Sequence, residues 1–267
     1  MFTNVDLSGI CIGALDKAHY TLERLGDSGI KESEKEGERL TRGDLKVSEN
    51  IIKFLKWKKI PGILYTEESG KIELSNNPRY IITLDDIDGT ENYFRGRKIL
   101  PYCTAMAIFD SMIPRFKDVV AAGIIEHSTN TSWYAIRNVG TFCNGSRVAV
   151  PEVEKLDKKT TIVIDNYYEA NVKKFSEILR ESWIRDHGSS AFHLAGVSSG
   201  LFNAFLSVSQ KAHELAPGYL LLKEANVFLS DLNGKPLDTI PYSFDHKYPI
   251  IAASTEKFGR KILSLLD

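Results

Sequence analysis

At 267 residues, 43% of them hydrophobic and 26% charged, the chain is long enough for one large domain or two small subdomains around a substantial core. Its 34 basic and 35 acidic side chains leave a net charge of −1, which removes any electrostatic case for a nucleic-acid or membrane partner. Cys11, Cys103 and Cys143 are too few and too widely spaced for a disulfide framework or a cysteine-based zinc site. The N-terminus lacks a basic region followed by an apolar core, and no apolar run approaches the roughly 20 residues that span a bilayer, so we expect a cytoplasmic protein.

Residues 7–25 have helical spacing, with Gly26 as a stop. The stretch 31–44 is polar and charged, contains Gly37 and Gly43, and reads as a mobile surface loop. Ser48 caps a predicted helix to about residue 58, whose basic run at 53–59 is a solvated face with favourable C-terminal cations. A short strand at 62–65 leads into Glu67 and Glu68, and a second strand occupies 81–84.

Three aspartates then crowd into four positions at that strand's end: Asp85, Asp86 and Asp88, with Ile87 between. Like charges this close repel, and desolvating them costs several kcal/mol each unless a cation or donors compensate. Mg²⁺ suits that need, because it prefers carboxylate oxygens and keeps positions for water and phosphate. Gly89 allows a tight turn and Thr90 adds a hydroxyl. An acidic turn capping a helix is the competing reading.

Further on, residues 119–126, 132–137 and 147–150 read as a meander of strands, with Asn144-Gly145 as a hairpin turn. A linker at 156–159 precedes a strand at 161–164. Residues 170–183 read as a helix with Val172, Phe175, Leu179 and Trp183 on its apolar face. Helices follow at 190–201 and 214–225. Sheets interleaved with helices predict an α+β layered fold.

The run from Asp85 to Asn92 resembles the D-P-[IL]-D-G-T-x-N signature of the inositol monophosphatase superfamily, which includes fructose-1,6-bisphosphatases and phosphoadenosine phosphate phosphatases. Glu67-Glu68 is similar to its G-E-E segment, and 140–148 to its G-x-F-x-N-G-x-x-[IV] hairpin. Residues 188–191 resemble G-S-A-A-x-x-L, and 213–225 resemble W-D-x-A-A-G-x-L-L-x-x-E-A-G. Asp231-Leu232-Asn233-Gly234 closes a set that keeps the family's order over most of the chain.

The resemblance implies an α-β-α-β-α sandwich. An N-terminal α+β half (1–155) would carry most metal ligands, and a C-terminal α/β half (156–267) would complete the active site within one continuous globular unit. It implies Mg²⁺-dependent hydrolysis of a phosphate monoester of a small polyol or sugar, inositol monophosphate or fructose-1,6-bisphosphate. Two or three ions would serve, with Mn²⁺ an alternative, in a homodimer or higher homo-oligomer. Asp85 matches the bridging metal ligand, Asp88 a second-metal ligand, Ile87 the donor of a backbone carbonyl, and Glu214 the second-metal acid. Glu67 matches a metal ligand that, with Thr90, activates the water. The Gly89 and Thr90 amides would cradle the phosphate. Ser189, Arg185 and the stretch from Tyr167 to Glu169 are substrate-gripping candidates by position. A weakly active regulatory protein on the same fold, or a phosphoadenosine phosphate phosphatase, are the alternatives.

Several positions depart from the pattern. Asp86 replaces proline, Thr66 replaces glycine, Glu214 replaces aspartate, His213 replaces tryptophan, and Pro217 interrupts A-A-G. Asn226 stands near a glycine position, where asparagine also takes positive φ. A D-x-x-T-x-x-D stretch is only weakly echoed at 44–49. His187 reads as a loop residue and His193 as a helix-face residue, neither a ligand.

Overall fold

The computed structural model describes residues 2–35, 38–166 and 169–266. Helix α1 (Asn4–Leu25) opens in a capping box between Thr3 and Asp6 and stops at Gly26. The expected loop at 31–44 is instead a hairpin of β1 (Glu32–Lys35) and β2 (Glu38–Thr41) that runs straight into α2 (Arg42–Trp57). Gly37 lies outside the described residues. Thr41, not Ser48, caps α2: its hydroxyl accepts from the Gly43 and Asp44 amides while the Asp44 carboxylate accepts its N–H at 2.7 Å. Ser48 sits inside the helix, buried, and bonds to Thr66 and Ser69. The T-x-x-D box outcompetes a later serine because it satisfies two orphan amides reciprocally.

The first sheet contains β3 (Gly62–Thr66), β4 (Gly70–Glu73), β5 (Tyr80–Asp88), β6 (Cys103–Phe109), β7 (Val119–Glu126), β8 (Thr131–Ile136), β9 (Gly140–Cys143) and β10 (Ser146–Arg147), with α3 (Thr90–Gly96) following β5. The aspartates lie inside β5 rather than beyond its end. The strand expected at 147–150 stops at Arg147, while the Asn144-Gly145 turn forms as predicted, both residues at positive φ. Strand order is β10-β9-β8-β7-β6-β5-β3-β4, and β3 and β5 are its parallel pair.

The second sheet has β11 (Thr161–Ile164), β12 (Trp183–Arg185), β13 (Ala204–Lys211), β14 (Phe228–Ser230) and β15 (Lys247–Ala253), in the order β12-β11-β13-β15-β14. The helices here are α4 (Glu169–Glu181), α5 (Ser190–Ser198), α6 (Ala212–Glu224) and α7 (Glu256–Leu263). The buried stripe of α4 keeps Phe175 from the expected one but is otherwise shifted. It carries Asn171, Phe175 and Ile178, whereas Val172 is exposed and Trp183 has left the helix for an exposed edge strand. Asn171 can face inward because it donates to the Asp165 carbonyl and accepts from the Val208 N–H. The Leu179 side chain lies outside the described part.

Helices α1 and α2 cover one face of the first sheet; α5 and α6 fill the space between the two sheets; α4 and α7 cover the outer face of the second. Three apolar clusters match the interfaces. Leu15, Leu22, Ile51, Leu55 and Ile108 lie under α1 and α2, Phe116, Leu194, Phe205, Leu215 and Leu220 lie between the sheets, and Ile164, Phe175, Leu206, Phe258 and Ile262 lie under α4 and α7. The result is a five-layered α-β-α-β-α sandwich. No helix among the described residues is long and apolar enough to cross a membrane.

Candidate active site

The C-terminal ends of the parallel strands β3 and β5 lie side by side, Thr66 opposite Leu84, so Glu67 emerges beside the aspartates. On β5, side chains alternate until Asp85. From there to Asp88 the strand advances three residues while β6 advances two, from Ala105 to Cys103. That one-residue bulge rephases the strand. Without it Asp85 and Asp88 would face opposite sides; with it both meet Glu214 in the first turn of α6. A similar bulge in β13, between Ser207 and Gln210, precedes the contact in which the Gln210 amide donates to Glu214 Oε2.

Two sets of ligand atoms result, each within 4.8 Å of one another: Glu67, Asp85 and His213, and Asp85, Asp88 and Glu214. Asp85 belongs to both. It is fully buried, and neither of its oxygens has a hydrogen-bond donor among the described residues. Burial, then the charges of Glu67, Asp88 and Glu214, push its carboxyl far above the usual range. Glu214 is raised by burial and by Asp88. Asp88 rises less, to about 6, because burial is opposed by two donors at the start of α5, Ser189 Oγ at 2.5 Å and the Ala191 N–H at 2.7 Å. Lys211 Nζ lies 2.9 Å from Glu67 Oε1 and offsets part of the charge. A buried carboxylate with no donor on either oxygen, flanked by three more acids, fits a hard divalent cation.

Asp86 points the other way, towards α2. Its Oδ2 accepts the Glu68 N–H at 3.4 Å, and burial, then the charges of Glu68 and Asp44, push its carboxyl well above the usual range. Gly89, at φ 86°, turns the chain into α3, and a Cβ there would stand 2.9 Å from the Gly188 carbonyl oxygen. Thr90 Oγ1 reaches the Ile87 carbonyl at 3.0 Å and Asp44 Oδ1 at 3.3 Å. Burial lifts Asp44 to about 7.

Sequence reasoning missed Asp44, Lys211 and His213 as members of this site. The Thr41-x-x-Asp44 box ahead of an apolar period was a usable signal for the first; the other two had none beyond proximity to Glu214. Ser189 joins the cluster through Asp88. Arg185 does not: it is exposed on β12, with its guanidinium over the Trp183 ring and a bond to the Ile184 carbonyl. Tyr167 lies outside the described residues. His193 is fully buried and held down to about 3 by that burial, accepting the His187 N–H at 3.0 Å. Pro217 sits inside α6, and Asn226 takes positive φ as expected.

The family model described as "Inositol monophosphatase family" matches residues 10–266. The chain belongs to the inositol monophosphatase family. Its curated relatives include proteins named as phosphatases and the Nus factor SuhB of Xylella fastidiosa, 28% identical over 176 residues that cover 63% of this chain and 60% of that one. The chain is 28% identical over 205 residues to a fructose-1,6-bisphosphatase of Pyrococcus furiosus, covering 76% of this chain and 74% of that one. It is 24% identical over 219 residues to a bifunctional NADP phosphatase/NAD kinase of Methanococcus maripaludis, but spans only 38% of that longer protein. The fold of this family member superimposes on the Thermotoga maritima IMPase with a TM-score of 0.82, covering 98% and 96% of the two chains at 20% identity.

Proposed function

We propose that the chain is a metal-dependent phosphatase that hydrolyses a phosphate monoester of a small sugar or polyol, with inositol monophosphate and fructose-1,6-bisphosphate as the first candidates. The observation that carries this reading is Asp85, buried with both oxygens lacking a donor and shared by two sets of ligands. In this reading Glu67, Asp85, Asp88, Glu214 and the Ile87 carbonyl hold Mg²⁺. The bound ions supply charge neutralisation and a water of lowered pKa.

The chain's own residues do the rest. Thr90 commits its single proton to Ile87 O or Asp44, so its oxygen is left to accept from the attacking water. Asp44, lifted to about 7, can take the Thr90 hydroxyl proton near neutral pH while the Thr90 oxygen takes one from the water, so that hydroxide is left to attack and Thr90 is unchanged. The Gly89 and Thr90 amides at the start of α3 offer donors to the phosphate. Ser189, whose hydroxyl donates to Asp88, would fix that ligand at the rim where the sugar enters. The division into halves at about residue 155 belongs to the same reading, with the acids drawn from both.

The fructose-1,6-bisphosphatase of Pyrococcus furiosus supports a sugar phosphate, and the NADP phosphatase relative adds a nucleotide to the panel. Turnover of inositol-1-phosphate, fructose-1,6-bisphosphate, phosphoadenosine phosphate and NADP, with Mg²⁺ and with EDTA, tests the assignment. We expect turnover of a sugar or polyol phosphate that EDTA abolishes and Mg²⁺ restores. Full activity in EDTA would sink it.

A further inference from the structure

Position 213 carries tryptophan in the family pattern, a side chain that cannot bind a metal. Here it is histidine, and its ring faces the acids. His213 Nε2 stands 3.7 Å from Glu67 Oε2 and 3.7 Å from Asp85 Oδ2. The ring is nearly buried, and it lies against Phe244 with centroids 5.0 Å apart; Phe244 in turn packs on Tyr65 of β3. Packing therefore fixes which edge of the imidazole meets the carboxylates.

The spacing distinguishes two roles. A charged imidazole serving as counter-ion closes on a carboxylate to about 2.7–2.9 Å. Two atoms bound to one ion at about 2.0–2.2 Å stand further apart, up to about 4.3 Å. The 3.7 Å separations on both sides of Nε2 fit three ligands around a shared centre. Glu67 is arranged for the same role, because Lys211 occupies its other oxygen, Oε1.

We propose that His213 is a metal ligand, so that the centre at Glu67 and Asp85 has a nitrogen donor and takes a first-row transition ion, Mn²⁺ or Co²⁺, in preference to Mg²⁺. The proposal rests on the phosphatase reading only in placing a metal at Asp85. Imidazole binds d-block ions better than magnesium, which favours an all-oxygen shell. Glu67, Asp85 and His213 then form one mixed site, and Asp85, Asp88 and Glu214 an all-oxygen site beside it.

The test is pulsed electron paramagnetic resonance of the full chain loaded with Mn²⁺. We expect a nitrogen coupling in the wild type that shifts when histidine alone carries the heavy nitrogen isotope, and that disappears in H213F, which preserves the stack on Phe244. Calorimetric titration should show the ratio of Mn²⁺ to Mg²⁺ affinity falling about tenfold in H213F. Thermal midpoints in EDTA check that the variant folds, and the wild-type spectrum decides the matter if it does not. Bound Mn²⁺ without histidine nitrogen coupling overturns the proposal, even where Mg²⁺-dependent phosphatase turnover is intact. Nitrogen coupling in a protein with no turnover on any phosphate ester supports His213 and sinks the phosphatase reading instead.

Discussion

Glu214 separates a metal site from an ordinary helix start. An acid in the first turn of a helix is stabilised by the dipole, and such an effect is worth about 0.3–1 kcal/mol. Glu214 is in a different position: buried, beside Asp85 and Asp88, and held by the Gln210 amide. In the absence of metal, burial and Asp88 oppose its charge. Glu214→Gln should therefore raise the Mg²⁺ concentration needed for half-maximal turnover by about tenfold or more, without lowering the thermal midpoint in EDTA. Activity against Mg²⁺ concentration and melting in EDTA read the two effects separately. Superimposable Mg²⁺ curves with a lowered midpoint would return Glu214 to the dipole role.

At the scale of elements, the start of α5 works twice. Ser189 Oγ accepts the Phe192 N–H at 3.2 Å, capping the helix, and donates to Asp88 from the other half of the site. The Ala191 N–H reaches the same carboxylate. Asp88 is thus fixed by a helix end contributed from about a hundred residues away, which makes the orientation of α5 part of the metal geometry. Ser189→Ala should cost about 0.5–2 kcal/mol through the lost cap and weaken Mg²⁺ binding by about 10–100-fold through the lost orienting bond. Ser189→Thr, which keeps the hydroxyl, should recover most of both. Denaturant unfolding and metal titration on the two variants check this; a Ser189→Ala protein with unchanged metal affinity would limit Ser189 to capping.

For the whole molecule, the acids make stability depend on pH and metal together. A carboxyl whose folded pKa is raised adds stability that is complete below its unfolded value, near 4, and is lost as pH rises through the folded value. Asp88 loses its contribution around pH 6, and Asp85 and Glu214 lose theirs higher still. His127 and His193, both depressed to about 3 by burial, act in the opposite sense: their contribution is complete above about 6.5 and falls as pH drops below it. His127 meets Thr104 and His19, and His193 meets His187 and Asp186, none of them among the four acids, so they act equally with and without metal and drop out of the difference. The gain in thermal midpoint on adding Mg²⁺ should thus grow from pH 5 to pH 8, each displaced proton changing the binding free energy by about 1.4 kcal/mol per pH unit. Calorimetric melts at several pH values, with Mg²⁺ and with EDTA, measure that difference. A gain that stays flat across the range would mean that the metal does not compete with protons for these acids.

Local signals in the chain were sufficient for what local physics decides. Asn144-Gly145 specified a turn and Gly26 a helix end, because each follows from sterics within a few residues. The ordered motifs were also enough for the five-layered fold class. Other features were decided only by tertiary structure. A bulge against β6 turned Asp88 to the side of Asp85 and left Asp86 facing α2, a choice that no property of the four residues alone contains. The helical period of α4 was legible, but its phase was not: Asn171 took an inward place because the Asp165 carbonyl and the Val208 amide were there to bond it. Lys211 and His213 came to Glu67 across more than 140 positions, carried by the antiparallel return of β13 and the docking of α6 between the sheets. Propensity and capping act over a turn or two of chain, whereas the site is assembled by burial, and burial is set by every layer packed around it.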